Sequence, residues 1–458
     1  MRHTRYGWWL EDAGAIDATS PLEGETSADV VIVGGGFLGL WTAWQLKQLE
    51  PGAEIVVLEA RLAGHGPSGR NGGFVSTLWG DLPILRERFG DKSAVAVARA
   101  SERGVRGIGS FCAAETVDAW FRPAPTMRVA TSEAELEAWD QLVFACAEVG
   151  AGDAVRVLSA AELAKRCDAG FLGALELATS ATVQPARLGL GLRAAVVSAG
   201  VRLHERSFVT RLSAEPVATT RDGRVRAGAA VLAAGSRTGG FAGFRLAHAV
   251  ASSHIVLTEP VPDVIGQLGW TGGEPIADSR TLLHYLRTTR DGRIAFGWAG
   301  GRMGFGSRPS GRLELDRDVI RVARDHLLRF FPSLQGRAIT HAWGGPIDVS
   351  PTHLPIFGTR GRVHHGFGFT GNGVGPSYLG GEILARLALD RRDELTALAL
   401  VDPKHKLMPP EPVRWIGGTL IRRALLRRDD LAASGRRVDP LTRAITGLPR
   451  RLGLHLPR

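Results

Sequence analysis

Gly34, Gly36 and Gly39 follow an apolar run at residues 28–33, and Glu59 closes a second apolar run at residues 54–58. That spacing suits binding of a dinucleotide. Gly34 permits the tight turn, Gly36 lets a pyrophosphate approach the backbone, and Gly39 lets a helix pack closely on the strand. The helix expected to open near Phe37 would turn its free N–H groups and positive end toward the pyrophosphate. Glu59 stands about 20 residues beyond the last glycine, where a carboxylate can accept hydrogen bonds from ribose hydroxyls. A lone glycine triplet is weak evidence; strand, turn, helix, strand and terminal acid together are specific.

The next residues decide between dinucleotides. After Glu59 come Ala60 and Arg61, then Gly64-His65-Gly66-Pro67-Ser68-Gly69-Arg70-Asn71-Gly72-Gly73. An NAD domain would continue into another strand and helix, whereas flexible backbone with an arginine and an amide suits a second pass over a longer cofactor. The stretch Gly69 through Gly73 resembles the flavin-contacting segment of the D-amino-acid oxidase superfamily of FAD-dependent oxidoreductases, nearest to the gamma-glutamylputrescine oxidoreductase-like enzymes. Three further blocks follow in that family's order. A helix opens at Pro185 and is followed by Val209, whose counterpart's backbone contacts adenine. Residues 229–235 resemble a strand ending in a small-residue turn, Ala234-Gly235, beside FAD. Trp343 to Gly358, then Gly371-Asn372-Gly373-Val374, resemble the C-terminal flavin segment.

The resemblance implies an α/β fold: a Rossmann-like FAD-binding domain of the glutathione reductase type, interleaved with an antiparallel-sheet substrate domain. Residues 28–80, 155–240 and 335–400 carry the cofactor blocks. Residues 81–154 and 241–334 should form a mixed sheet roofing the flavin, with an Asp291-Gly292 turn signalling a hairpin. Residues 401–458 form a basic tail.

The cofactor is expected to be FAD. It would accept a hydride at N5, and Gly371, Asn372, Gly373 and Val374 would face the pyrimidine edge, where backbone N–H groups favour negative charge. Relatives often carry His where this chain has Asn372. No cysteine lies between residues 343 and 375, and no histidine attachment motif matches, so noncovalent FAD is expected. His65 leaves covalent attachment open.

Candidate substrate-facing residues are His254, Tyr285, Arg287 and Trp298 from the roof, with Trp343 assigned to the FAD domain. Alternation along a strand puts Tyr285 and Arg287 on one face. In α-amino-acid oxidases of the superfamily an arginine before the last flavin loop grips the carboxylate; the alignment puts Ile347 in its place. This favours a primary or secondary amine, with a distant anionic group such as a phosphonate as one version, over a simple α-amino acid. FAD-dependent oxidation of a hydroxy acid stays open, as does a non-catalytic flavin-bound protein at a membrane.

Composition narrows the partners. Two lysines and eleven arginines against four acids in residues 404–458 supply +9 of the net +10 charge. The body is nearly neutral and has no nucleic-acid-binding motif, so no nucleic-acid partner is expected. Val413, Ile416, Leu420, Ile421, Ala424 and Leu425 recur at helical spacing among arginines, a stripe that should pack on the body, with contact to an anionic membrane as the alternative. Cys112, Cys146 and Cys167 lack metal or disulfide spacing, and His353, His364 and His365 lack carboxylate company, so no metal is expected. The first residues carry charge and no apolar leader pattern, which places the expected location in the cytoplasm. Oligomeric state and electron acceptor are open at this level.

Overall fold

The computed structural model describes residues 1–4, 6–306, 309 and 311–455. Two large sheets dominate. In the first, Arg202–His204, Ile55–Leu58, Gly24–Val33, Gly223–Leu232 and Val363–Phe367 run parallel in that order. The end of Gly24–Val33 and all of Ile55–Leu58 are buried, which is why both read as continuous apolar runs rather than alternating ones. The helix Phe37–Leu49 packs on Val374–Ala388 over one face, and Pro185–Ser198 begins with proline at its first turn, where a missing N–H costs nothing.

The second sheet has nine strands. Its order is Arg2–His3, Ile339–Val349, Ala249–Thr258, Ile294–Trp298, His284–Thr288, Ile276–Asp278, Thr126–Ala130, Gly173–Leu177 and Val155–Ser159. The expected hairpin joins His284–Thr288 to Ile294–Trp298 through Gly292, which has φ of 78°. Two boundaries shift: Val155–Ser159 and Gly173–Leu177 pair in this roof, as does Ile339–Val349, so residues 155–177 and 339–349 leave the unit that carries the cofactor blocks.

Alternation gives the roof two faces. On the outer one, Met127, Val129, Val256, Leu286, Phe296 and Trp298 form a core with Val319, Ile320, Ala323 and Leu327 of the helix Arg317–Phe330. The inner face looks at the first sheet's domain, with Ile255, Leu257, Ala295 and Trp343 packed on Trp8, Trp9 and Ala186.

The tail helix Val413–Ala433 docks by a different edge from the expected one. Arg414 donates to the carbonyls of Arg245 and His248, Arg422 donates to those of Gly300 and Gly301, and Ala424 and Leu425 are buried. Val413, Ile416 and Leu420 are exposed. Among the described residues, no helix is long and apolar enough to cross a membrane.

Candidate functional site

The glycine turn is shaped by close backbone approaches. Gly34 has φ of 113°, and a Cβ on it would lie 2.4 Å from the carbonyl oxygen of Ala233; a Cβ on Gly39 would lie 1.9 Å from that of Gly34. Neither position tolerates a side chain, so strand, turn and helix stay in tight contact. Gly36 caps the helix in an extended conformation, and Phe37 N–H donates to Ser68 Oγ at 2.8 Å, tying the helix start to the second glycine-rich run. Glu59 accepts from Gly35 N–H and Arg61 N–H, each at 2.8 Å. Burial pushes the Glu59 carboxyl above its ordinary range, and those two amides oppose the push. Ala60 and Arg61 continue from it, with the Arg61 guanidinium 3.3 Å from Glu314. Gly235, with φ of 52°, turns the chain after Ala234 beside the same sheet end, and Val209 is buried in the adjoining core.

The second run closes over this turn. Asn71 shapes it: its Oδ1 accepts from Gly73 N–H at 2.7 Å and its Nδ2 donates to the Ser68 carbonyl at 2.7 Å. Buried Arg70 donates to the Gly66 carbonyl, while its own carbonyl accepts from Trp343 Nε1–H at 2.8 Å. Gly69 and Gly72 leave room for the Gly64 carbonyl and the Tyr285 ring respectively. His65 lies in the run with its Nε2 buried and without a hydrogen-bond partner among the described residues, and burial lowers its pKa. Gly371, Asn372 and Gly373 precede the helix Val374–Ala388. Asn372 Nδ2 donates to the Thr77 carbonyl at 3.3 Å, and Gly375 sits against the Ser76 carbonyl, so the helix start and the strand Phe74–Ser76 lie side by side. Three features meet the needs of FAD: a side-chain-free turn at a helix start, an acid at the neighbouring strand end, and a third glycine-rich helix start.

The roof divides the remaining candidates. Tyr285 and Arg287 point inward. Tyr285 OH is 2.8 Å from Ser253 Oγ, its ring meets Phe74 edge-on, and burial pushes the phenol up to about 12. Arg287 donates to the carbonyls of Val183 and Gly73 and lies over the Trp9 ring; burial pulls it down to about 9, with Arg122 adding to the effect. Trp343 also faces inward, but from a roof strand rather than from the first sheet's domain.

His254 and Trp298 do not join them. They are direct cross-strand partners on the outer face. His254 Nε2 accepts from Asp316 N–H at 3.1 Å, and burial lowers its pKa to about 4. Trp298 stacks on His284 and meets His326 under the outer helix. The expectation that they line the substrate face is corrected: cross-strand pairing sets them on one face, and the helix Arg317–Phe330 covers that face.

Several inward residues escaped the sequence reading. Ser253 is a single hydroxyl with no motif around it, and Ser68 stands inside the second glycine-rich run, where the hydroxyl itself carried no signal. Glu205 is fully buried and accepts from Thr19 N–H, Ala63 N–H and both arms of Arg193. Asp81, at the end of the turn Trp79–Asp81, and Arg128, on a roof strand, act on each other through space. For Arg128 a partial signal existed, since alternation in Met127-Arg128-Val129 sets it on the face opposite its two apolar neighbours, and the structure puts those in the outer core. Among the described residues no group of His, Cys, Asp or Glu is arranged to hold a metal ion.

Comparison with known proteins agrees with this architecture. A gamma-glutamylputrescine oxidoreductase of Escherichia coli is 27% identical over 390 residues, 82% of this chain and 87% of that protein. A glycine oxidase of Pseudomonas putida is 27% identical over 346 residues, 72% and 86% of the two chains. The fold matches the crystal structure of glycine oxidase from Geobacillus kaustophilus with a TM-score of 0.68 at 19% identity, covering 83% of this chain and 99% of that one. Residues 29–387 match the DAO family, FAD dependent oxidoreductase, and because that span takes in the glycine turn, both flavin segments and the roof between them, the chain belongs to this family of FAD-dependent enzymes.

Proposed function

We propose that the enzyme oxidises the C–N bond of a primary or secondary amine, giving an imine that water hydrolyses to a carbonyl compound. The observation that carries this reading is Ile347, which faces inward from the roof with its side chain 3.9 Å from where a Cβ on Gly371 would lie. An apolar side chain stands over the flavin segment where amino-acid oxidases of the family place a carboxylate-gripping arginine. Relatives named for gamma-glutamylputrescine and for glycine support chemistry at a C–N bond. FAD, when bound, takes up the electron pair that leaves the α carbon.

This chain's own residues orient and enclose the substrate. Tyr285 stays protonated through the neutral range, and with Ser253 it offers a hydroxyl pair that can accept from, or donate to, the amine nitrogen. Trp343, Trp9 and Ile255 close the neighbouring inner face and keep water from it. Gly371, Asn372, Gly373 and Val374 put a helix start beside the strand Phe74–Ser76, a placement that favours negative charge on whatever ring lies there.

Anaerobic holoenzyme mixed with amines, α-amino acids and hydroxy acids tests the reading. Bleaching of the flavin absorbance by an amine, with a carbonyl product, is the expected result; bleaching by hydroxy acids alone would overturn it. Repeating the productive reaction with oxygen and with an artificial acceptor identifies the oxidant.

The FAD is proposed to be held noncovalently. The cysteines Cys112, Cys146 and Cys167 are buried, with thiols that burial pushes up to about 11, 11 and 12, so none is a ready nucleophile. Acid precipitation should leave the yellow colour in the supernatant. Colour retained in the pellet would point to His65.

A further inference from the structure

We propose that the tail is a docking surface for an anionic lipid bilayer: the outer face of the helix Val413–Ala433 enters the headgroup layer with its apolar side chains, and the arginines around it meet the lipid phosphates. The surface lies beyond residues 29–387, which match the family, and it is independent of the substrate that the enzyme oxidises.

The helical period gives this helix two opposite edges. Arg414, Gly418, Arg422 and Leu425 follow the edge that meets the body. Arg414 donates to two carbonyls and pairs with Glu411, Arg422 donates to two further carbonyls, and Leu425 is buried. Gly418 lets the helix approach Met303, whose Cε would lie 2.8 Å from a Cβ at that position. Val413, Ile416 and Leu420 follow the opposite edge, at spacings of three and four residues, and are 59%, 48% and 50% exposed. Arg423 and Arg427 continue the same line and are exposed as well. One outward face is therefore apolar in its first half and cationic in its second.

Packing on the body does not account for these side chains. A helical apolar stripe ordinarily faces a core, because burial takes its surface out of water; here polar docking turns the stripe outward. The neighbouring loop extends the patch, with exposed Phe305 edge-on to exposed Trp415 at 6.3 Å between ring centroids. Single exposed hydrophobic side chains are ordinary, whereas a concentration of them marks an interaction site. Among the described residues, half of the exposed large hydrophobic side chains lie between Leu407 and Leu452, about a tenth of the chain. Leu441, Leu448 and Leu452 belong to that half, on and beside the short helices Pro440–Thr446 and Leu448–Arg451, the first of which packs on Val413–Ala433.

Charge selects the partner. Three of the four acids of the tail are already bound within it, Glu411 to Arg414, Asp429 to Arg428 and Asp439 to Arg427. Arg423, Arg436, Arg437, Arg443, Arg450 and Arg451 are exposed and make no ion pair among the described residues. Pairing with a second copy through the same face would press two tails of +9 together. A nucleic acid would answer the arginines and leave Val413, Ile416 and Leu420 in water. An anionic bilayer answers both. Its acyl boundary takes apolar side chains to a depth of about 5–10 Å, an indole such as Trp415 suits the interface, and guanidinium groups stay at the headgroups.

The test sediments full-chain holoenzyme with vesicles of phosphatidylcholine, alone or mixed with phosphatidylglycerol. Affinity for the mixed vesicles should be at least about 10-fold higher, and raising the salt to about 0.5 M should lower it about 10-fold. Arg423→Gln with Arg437→Gln should weaken binding about 25-fold, since each cation near an acidic surface contributes about fivefold. Ile416→Ser with Leu420→Ser should weaken it about 10-fold. Both double variants should keep the FAD content and melting temperature of wild type, because the changed side chains face water. If the serine variant does not fold, Phe305→Ser on the neighbouring loop carries the same test, at about threefold. No binding to the mixed vesicles, equal binding to the two kinds, or binding that the serine substitutions leave unchanged would overturn the proposal. So would a dimer in sedimentation velocity that those substitutions dissociate, or retention by duplex DNA as tight as by the mixed vesicles.

Discussion

Apoprotein carrying Glu59→Ala is expected to bind FAD about 10- to 150-fold more weakly than wild type, because charge-assisted hydrogen bonds worth about 1.5–3 kcal/mol disappear. Two effects add. In the proposed role the carboxylate would accept from ribose hydroxyls, and it accepts from Gly35 N–H and Arg61 N–H, so it holds the glycine turn and the following loop in register with the strand Ile55–Leu58. Glu59→Gln keeps the shape and one acceptor oxygen, and should fall between the two. Fluorescence titration of apoprotein measures the affinities. The fraction of the variant that stays loaded should be bleached by substrate at the wild-type rate, since the proposed role of Glu59 is at the adenosine end. An unchanged affinity would show that the adenosine is held elsewhere.

Local signals carried well from sequence to structure. The apolar run at residues 28–33, the three glycines and Glu59 depend on contacts within one βαβ unit, and each appears where spacing put it. Pro185 opens its helix, and Asp291-Gly292 makes its hairpin. What failed to carry depends on distant pairing. The strand Val155–Ser159 belongs to the roof because Gly173–Leu177 bridges it to Thr126–Ala130, and no property of residues 155–159 announces that partner. Alternation put Tyr285 and Arg287 on one face, but it says nothing of how residues on different strands such as His254 and Trp298 pair, nor which face looks at the flavin; the helix Arg317–Phe330, some sixty residues further along the chain than His254, covers the face that those two share. The tail stripe shows the same limit. Its arginines reach backbone carbonyls of the body, and that polar docking turns Val413, Ile416 and Leu420 outward.

Glu205→Ala should destabilise the fold by about 3–5 kcal/mol, the cost of leaving a buried cation without its anion. Glu205 has no exposed side-chain surface and Arg193 has 14%. The carboxylate takes Arg193 Nε and Nη2 at 2.9 and 2.8 Å, together with the amides of Thr19 and Ala63 at 2.8 Å each. It therefore ties the N-terminal segment, the helix Pro185–Ser198 and the loop after Glu59 to one point. Burial alone would raise its pKa, but the Arg193 fork and the two amides outweigh burial and hold it below the ordinary value. A lowered pKa fixes the sign of the pH dependence: the contribution is complete above the unfolded-state value of about 4.3 and is lost as pH falls through the lower folded-state value. Thermal melts should thus show a wide gap between wild type and Glu205→Ala at neutral pH, and a gap that narrows below about pH 4. Removing Arg193 as well should recover part of the loss, because the penalty lies in the unpaired guanidinium rather than in the missing bond. Equal melting temperatures for wild type and Glu205→Ala at neutral pH would mean that the tie carries no weight. A loss that Arg193→Ala deepens instead of easing would place the stabilisation in the backbone amides, and weaker FAD retention would then follow from the freed loop at Ala63.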